Sequence, residues 1–168
     1  MRDVKRTSRP RHGYTLVEVL LVVSILGVIS AMVVPSMLSA GQMGVQAAAR
    51  AVVADLLYAQ NEAIAQQAPR QVVFDDTNDR YELRDEFGNA LGKDWVSGDT
   101  SKYVVDFTED DRFMGVSIVA VDFNGGSTVT FDDLGGPDTG GSVTVRFDNQ
   151  RYRIDVAEFT GRVTVTKL

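Results

Sequence analysis

Residues 13–35 read GYTLVEVLLVVSILGVISAMVVP, and this stretch decides how the N-terminal part of the chain folds. No charged side chain occurs between Val19 and Ala49. A run of about 20 apolar residues is long enough for a helix to span the roughly 30 Å hydrocarbon core of a bilayer. Basic residues before such a helix keep that end in the cytoplasm, and here they are Arg2, Lys5, Arg6, Arg9 and Arg11. The sequence therefore predicts one membrane-spanning helix with a cytoplasmic N-terminus.

Glu18 is the one charged residue at the start of this apolar run. A carboxylate inside a bilayer costs roughly 2.5 to 10 kcal/mol, so it needs a cationic partner. No lysine or arginine follows it within the predicted span. A cut after Gly13 would supply a cation, because the new α-amine of Tyr14 is protonated up to a pKa of about 8. The amine of the same chain or that of a neighbouring subunit could approach Glu18.

The order of these residues resembles the class III signal of type IV pilins and type II secretion pseudopilins. The shared pattern is a basic leader, a glycine, an aromatic residue, a glutamate five positions after the glycine, and a long apolar helix. The resemblance implies cleavage between Gly13 and Tyr14 by a prepilin peptidase, N-methylation of Tyr14, and contact of Glu18 with the terminal amine of an adjacent subunit. An ordinary secretory signal has a shorter apolar core, and a plain signal anchor gives Gly13 and Glu18 no role.

Composition and charge limit the function of the rest of the chain. The 168 residues carry a net charge of −6, and residues 1–13 hold five basic residues and one acid, so the remainder carries −10. This acidity argues against a general nucleic-acid surface. The chain has no cysteine, and its single histidine, His12, belongs to the predicted leader. A disulfide framework, a thiolate metal site and a histidine-based catalytic site are therefore not expected in the processed chain.

The helix is expected to continue past the membrane as an amphipathic segment that ends at Pro69. Apolar residues recur there at three- and four-residue steps, namely Val45, Ala49, Val52, Val53, Leu56, Leu57, Ala63 and Ile64. The polar face is assigned to Gln46, Arg50, Asp55, Glu62 and Gln66. Gly27 and Pro35 weaken the inner half of the helix, so we expect a kink between them.

After Pro69 the pattern changes to a period of two, which indicates β-strands. The expected strands are residues 71–74, 81–83, 103–107, 116–123, 127–131, 143–147, 151–156 and 163–166. Residues 75–79, DDTND, predict one hairpin turn, and Asn149-Gln150 predicts another. Short strands joined by tight turns form antiparallel sheets that pack on a helix. The predicted fold class is α+β and pilin-like, with a long N-terminal α-helix packed on a C-terminal antiparallel β-sheet domain.

Two further segments resemble the H-type minor pseudopilins and their pilus-system relatives. The first is the helix end, LLYAQNEAIAQQA. The second is the C-terminal region, which contains FDDLGGPDTGGSVTV and, further on, TGRVTV. The resemblance implies three parts: residues 1–13 as a cleaved leader, residues 14–40 as a transmembrane assembly helix, and residues 41–168 as the amphipathic helix end and a periplasmic β-rich domain. It implies a single-pass protein of the inner membrane whose globular domain is periplasmic.

The acidic clusters and hydroxyl residues do not predict a cofactor or an enzyme. None of the clusters has the spacing of a calcium-binding loop, and the best metal candidate among them is Asp132, Asp133 and Asp138. Aspartate and glycine are also the ordinary residues of turns. No histidine or lysine base is placed beside a serine or threonine by a motif. We therefore expect no catalytic residue, no bound metal, no cofactor and no small-molecule substrate.

The sequence thus predicts a minor pseudopilin that prepilin peptidase processes and that joins other pseudopilins through its N-terminal helix in a periplasmic pseudopilus for protein secretion. The alternative is a minor pilin of a type IV pilus or of a DNA-uptake machine. Late basic residues would serve DNA binding, and they are Arg151, Arg153, Arg162 and Lys167. The charge of −10 outside the leader weighs against that alternative.

Overall fold

The computed structural model describes residues 14–92 and 102–168, with the backbone alone for residues 32–41. One helix, α1, runs from Leu16 to Gln66. The chain divides into two compact units, one ending at Leu38 and the other running from Ser39 to Leu168. Gly13 and the rest of the predicted leader lie outside the described residues. The division into leader, assembly helix and globular part therefore stays a prediction.

A hydrogen-bonded turn closes α1 at Gln66, just before the predicted end at Pro69. Gln67 has a left-handed backbone conformation with a φ of 50°. Its N–H donates to the Ile64 carbonyl at 3.3 Å, and the Ala68 N–H donates to the Ala63 carbonyl at 3.2 Å. These two bonds form a Schellman motif, which satisfies carbonyls in the last helical turn. Pro69 therefore follows a helix that is already closed.

We expect Gln67→Gly to raise the free energy of unfolding by roughly 1 kcal/mol, because glycine adopts the left-handed conformation without the steric cost of a Cβ. Gln67→Ala keeps that cost and should change the free energy by less than about 0.5 kcal/mol. Urea unfolding of both purified variants measures the difference. A glycine variant no more stable than the alanine variant would contradict the role of this turn.

Within the described residues, eight strands follow α1, and they confirm the eight runs of the period-two pattern. The strands are β1 Arg70–Asp75, β2 Arg80–Arg84, β3 Val104–Asp106, β4 Ser117–Asp122, β5 Thr128–Phe131, β6 Gly141–Phe147, β7 Gln150–Val156 and β8 Val163–Lys167. They form two four-stranded sheets with the orders β3-β2-β1-β5 and β4-β6-β7-β8. All neighbouring strands are antiparallel. The predicted α+β architecture is confirmed.

One turn lies a residue earlier than predicted. Phe147 pairs with Gln150, so the β6–β7 turn consists of Asp148 and Asn149 and not of Asn149-Gln150. Asp148 has a φ of 51°, a conformation that aspartate and asparagine accept more readily than glutamine does. The predicted turn after β1 is confirmed, since Asp75 pairs with Arg80.

The core of the second unit lies between α1 and the two sheets. The helix contributes buried residues at three- and four-residue steps, and they are Val45, Ala48, Ala49, Val52, Leu56, Ala59 and Ala63. Leu57 and Ile64, which the periodicity placed on this face, are 40% and 46% exposed. Asp55, placed on the polar face, instead bonds to side chains of the β-domain. A helical residue is therefore buried when it contacts the sheets, whatever its hydrophobicity. Several alanines meet this condition, whereas Leu57 and Ile64 do not.

Candidate functional site

The start of α1 is capped by Thr15, a role that the sequence reasoning missed. The Glu18 N–H donates to Thr15 Oγ1 at 3.2 Å. Threonine followed three residues later by glutamate is the spacing of a capping box. That spacing was readable in the sequence. Glu18 therefore occupies a helix position that favours an acid, and it also carries the single charge of the apolar segment.

The Glu18 carboxylate differs from the other polar groups in the described part of this apolar segment. Ser24 Oγ donates to the Leu20 carbonyl at 2.7 Å, and Ser30 Oγ donates to the Leu26 carbonyl at 2.8 Å. Both hydroxyls are thus satisfied within the helix. The Glu18 side chain is exposed and has no hydrogen bond or ion pair within residues 14–92 and 102–168. Its carboxylate is available to a group from outside the chain.

Apart from Thr15, the side chains around Glu18 are apolar. Every described side chain from Tyr14 to Ala31 is exposed, and the exposed fraction of the large apolar residues runs from 49% at Val22 to 83% at Tyr14. Tyr14 and Glu18 border one shallow depression, which Val19, Val22 and Val23 complete. Soluble monomers rarely expose a contiguous apolar surface of this kind, and such a surface is typical of contact with protein or membrane.

Gly27 and Pro35 both lie within α1, and the helical backbone passes through both. A Cβ added to Gly27 would meet no atom within 4 Å. Neither residue ends the helix, and a kink between them stays a prediction. In the part of the chain that the structure describes, no helix reaches the length and hydropathy of a membrane span.

Asp55 connects α1 to both β2 and the residue before β3. Its carboxylate accepts hydrogen bonds from the Tyr81 and Tyr103 hydroxyls, each at 2.5 Å. Tyr58 stacks on Tyr103 with ring centroids 5.7 Å apart. Burial and then the Asp55 charge raise the pKa of Tyr81 well above its ordinary value. Burial and the Asp55 hydrogen bond likewise raise the pKa of Tyr103, so both hydroxyls stay protonated donors that set the rotation of α1 against the sheet.

The acidic clusters serve turns. Asp132 Oδ1 accepts the backbone N–H groups of Leu134 at 3.0 Å and Gly136 at 2.7 Å. Asp138 Oδ1 accepts the Thr130 N–H at 2.9 Å. Among the described residues, no group of three or more histidine, aspartate or glutamate side chains is arranged to hold a metal ion. Two of the three carboxylates of the best sequence candidate, those of Asp132 and Asp138, thus accept backbone N–H groups.

The late basic residues lie on β7 and at the two ends of β8. Arg151 and Arg153 are exposed at alternate positions of β7. Arg153 Nε lies 2.8 Å from Asp155 Oδ1, so its charge is partly compensated. Arg162 and Lys167 are exposed at the start and end of β8. The four basic side chains are therefore spread along β7 and β8, and the Arg153 charge is paired.

Two family models match separate, successive ranges of the chain. The model of the type II transport protein GspH matches residues 48–160, about two thirds of the sequence. The model of the prokaryotic N-terminal methylation motif matches residues 8–34, a range that contains Gly13, Tyr14, Glu18 and Gly27. A search of curated proteins found no significant match.

Solved structures with the same fold come from two assemblies. One structure of the minor pseudopilin EpsH of the Vibrio cholerae type II secretion system has a TM-score of 0.55 and 13% identity, covering 73% of this chain and 95% of that chain. The type IV minor pilin FimU of Pseudomonas aeruginosa has a TM-score of 0.51 and 15% identity, covering 73% of this chain and 87% of that chain. These similarities show a shared pilin-like fold. Because the GspH model spans most of the chain and the methylation motif precedes it, the protein belongs to the type II transport protein GspH family, the minor pseudopilins.

Proposed function

We propose that the protein is a non-catalytic minor pseudopilin of a type II secretion-like system. Prepilin peptidase cuts between Gly13 and Tyr14, and Tyr14 is then N-methylated. The N-terminal helix anchors the subunit in the inner membrane, with the β-domain in the periplasm, until it docks beside the helices of other pseudopilins. The observation that carries the proposal is the Glu18 carboxylate, which has no partner within the described residues and lies in an exposed apolar helix.

Glu18 sets the register of the docked helices in this mechanism. A carboxylate surrounded by apolar side chains is costly without a cation, and the α-amine of Tyr14 on an adjacent subunit supplies one after cleavage. Helices that slide by one turn leave both charges unpaired in an apolar environment. Such a pair therefore selects one arrangement even where it adds little net stability.

We expect Glu18→Gln and Glu18→Ala to leave cleavage unchanged and to lower incorporation into the pseudopilus at least tenfold. Glutamine closes a capping box as glutamate does, so Glu18→Gln removes the charge and keeps the helix start. Immunoblots of sheared filaments measure incorporation, and mass spectrometry of the membrane fraction measures cleavage. Glu62→Ala, on the same helix within the second unit, is the matched control and should assemble like the wild type.

The glutamine variant separates two roles of Glu18. If Glu18→Gln assembles like the wild type while Glu18→Ala does not, helix capping explains the residue and the charge pair is wrong. If both variants assemble like the wild type, neither role matters for docking.

Assembly into a type IV pilus or a DNA-uptake machine is the second candidate, and the structural likeness to FimU supports it. Secretin and secretion ATPase genes beside the coding gene would favour secretion, and pilus genes would favour this alternative. DNA binding is tested by a gel shift at low and high salt, since phosphate contacts weaken steeply as salt rises. The compensated charge of Arg153 and the acidity of the chain outside the leader predict no shift.

A further inference from the structure

Each sheet has two edge strands, and three of the four edges in the described residues are protected against pairing with another chain. On β5, the Asp138 N–H donates to the Thr130 carbonyl at 2.8 Å, and Asp138 Oδ1 accepts the Thr130 N–H at 2.9 Å. On β4, the pairing shifts between Ile118 and Ala120, and the Ile118 N–H donates to Asp79 Oδ1 at 2.8 Å. The third edge, β3, is only three residues long. Bulges, covering segments and short strands are how natural sheets block their edges.

The fourth edge, β8, lacks these features. It reads VTVTK, without proline, and its one charge is the last residue. It pairs with β7 in a regular register, from Tyr152 opposite Lys167 to Val156 opposite Val163. Four of its five residues are β-branched, which favours an extended strand. β8 is therefore the longest regular stretch of unblocked sheet edge in the described part of the chain.

The register identifies which backbone groups of β8 point outward. The Leu168 N–H donates to the Arg151 carbonyl and the Ala157 N–H donates to the Arg162 carbonyl, each at 3.0 Å. Because bonding alternates along an antiparallel ladder, the even-numbered residues of β8 face β7. The N–H and carbonyl groups of the odd-numbered residues face away from the sheet, and these residues are Val163, Val165 and Lys167.

The side chains beside this edge add apolar area and positive charge. Val165 lies opposite Ile154 on the same face of the sheet, yet Ile154 is fully buried and Val165 is 46% exposed. The buried face of the sheet therefore continues past β7 and remains open at β8. Arg162 and Lys167 lie at the two ends of the strand, in a chain that is otherwise acidic outside the leader.

We infer that β8 binds an extended segment of another polypeptide, which adds to the four-stranded sheet β4-β6-β7-β8 as a fifth strand. The three outward N–H groups and three outward carbonyls of β8 supply the hydrogen bonds. The exposed Val165 side chain packs against an apolar side chain of the added strand. Arg162 and Lys167 favour a segment with acidic ends. Strand addition of this kind obtains affinity from the main chain and specificity from flanking side chains. The inference does not depend on cleavage after Gly13 or on Glu18.

The test uses the purified full-length protein and a synthetic peptide of five alternating valines and threonines with two aspartates at each end. Amide hydrogen exchange is followed by NMR with and without the peptide. We expect exchange at Val163, Val165 and Lys167 to slow at least tenfold, while Thr164 and Thr166, already bonded to β7, change little. A peptide with lysines in place of the aspartates should bind at least fivefold more weakly at low salt.

Two proline variants test the geometry. Val165→Pro removes an outward N–H and leaves the β7 ladder intact, so it should weaken peptide binding at least tenfold with little change in melting temperature. Val163→Pro gives the same test at the start of the strand should Val165→Pro fail to fold, because its N–H also faces outward. Thr166→Ala is the control that should bind like the wild type. No protection of the three amides at millimolar peptide would overturn the inference, as would equal binding by the proline variants. Protection by single-stranded DNA and not by the peptide would also overturn it and assign the edge to nucleic acid.

Discussion

Replacing Gly141 by alanine should lower the free energy of unfolding by about 3 kcal/mol. A Cβ on Gly141 would lie 2.3 Å from the Asp122 carbonyl oxygen and 2.4 Å from Phe123 Cδ1. Phe123 is buried in the core, and Asp122 is fixed by strand pairing with Ser142. A backbone carbonyl held in a sheet cannot move aside as the end of a flexible side chain can. Urea unfolding of the purified variant measures the loss.

Gly126→Ala is the matched control for this substitution. Gly126 also lies against Phe123, but an added Cβ would be 3.4 Å from the Phe123 carbonyl oxygen, an ordinary contact. We expect it to change the free energy of unfolding by less than about 1 kcal/mol. Equal stability of the two variants would contradict the close approach of β6 to the end of β4.

Asp55→Ala should likewise lower the free energy of unfolding by about 3 kcal/mol. It removes two hydrogen bonds to a carboxylate and leaves the hydroxyl of Tyr81, which is 1% exposed, without its acceptor. Hydrogen bonds to charged groups contribute about 1.5 to 3 kcal/mol each, and an unsatisfied buried donor adds its desolvation cost. Urea unfolding again gives the value.

A double-mutant cycle isolates this contact. In the Tyr81→Phe background, Asp55→Ala should cost at least 1 kcal/mol less than in the wild type, because the shared hydrogen bond is already absent. Glu62→Ala, two turns further along α1, is the control and should cost less than about 0.5 kcal/mol. Strictly additive losses would mean that the Asp55–Tyr81 bond does not stabilise the fold.

Local patterns in the sequence were sufficient to predict the β-domain, because each strand alternates and each hairpin carries turn residues. The burial of α1 was harder to predict, since it depends on contacts between residues far apart in sequence. Asp55 is polar and so was placed on the solvent face, yet it is only partly exposed and accepts hydrogen bonds from Tyr81 and Tyr103. Ala48 and Ala59 are buried although alanine carries little hydrophobic signal.

The candidate site was predicted from charge and position alone, and the structure changed its description. Glu18 was identified because it is the carboxylate at the start of the apolar run, which the sequence alone shows. The hydrogen bond from Glu18 N–H to Thr15 Oγ1 was not predicted although its spacing is visible, because it depends on where the helix begins. The open edge of β8 could not be predicted from the sequence, because it depends on how the strands pair, and the pattern within one strand does not show that.

Mass spectrometry of the amino terminus of the membrane-extracted protein tests the central claim most directly. The account predicts a chain that begins at Tyr14 and carries one methyl group on its α-amine. An intact N-terminus, or a cut far downstream of Gly13, would leave Glu18 without its cation and contradict the proposed assembly.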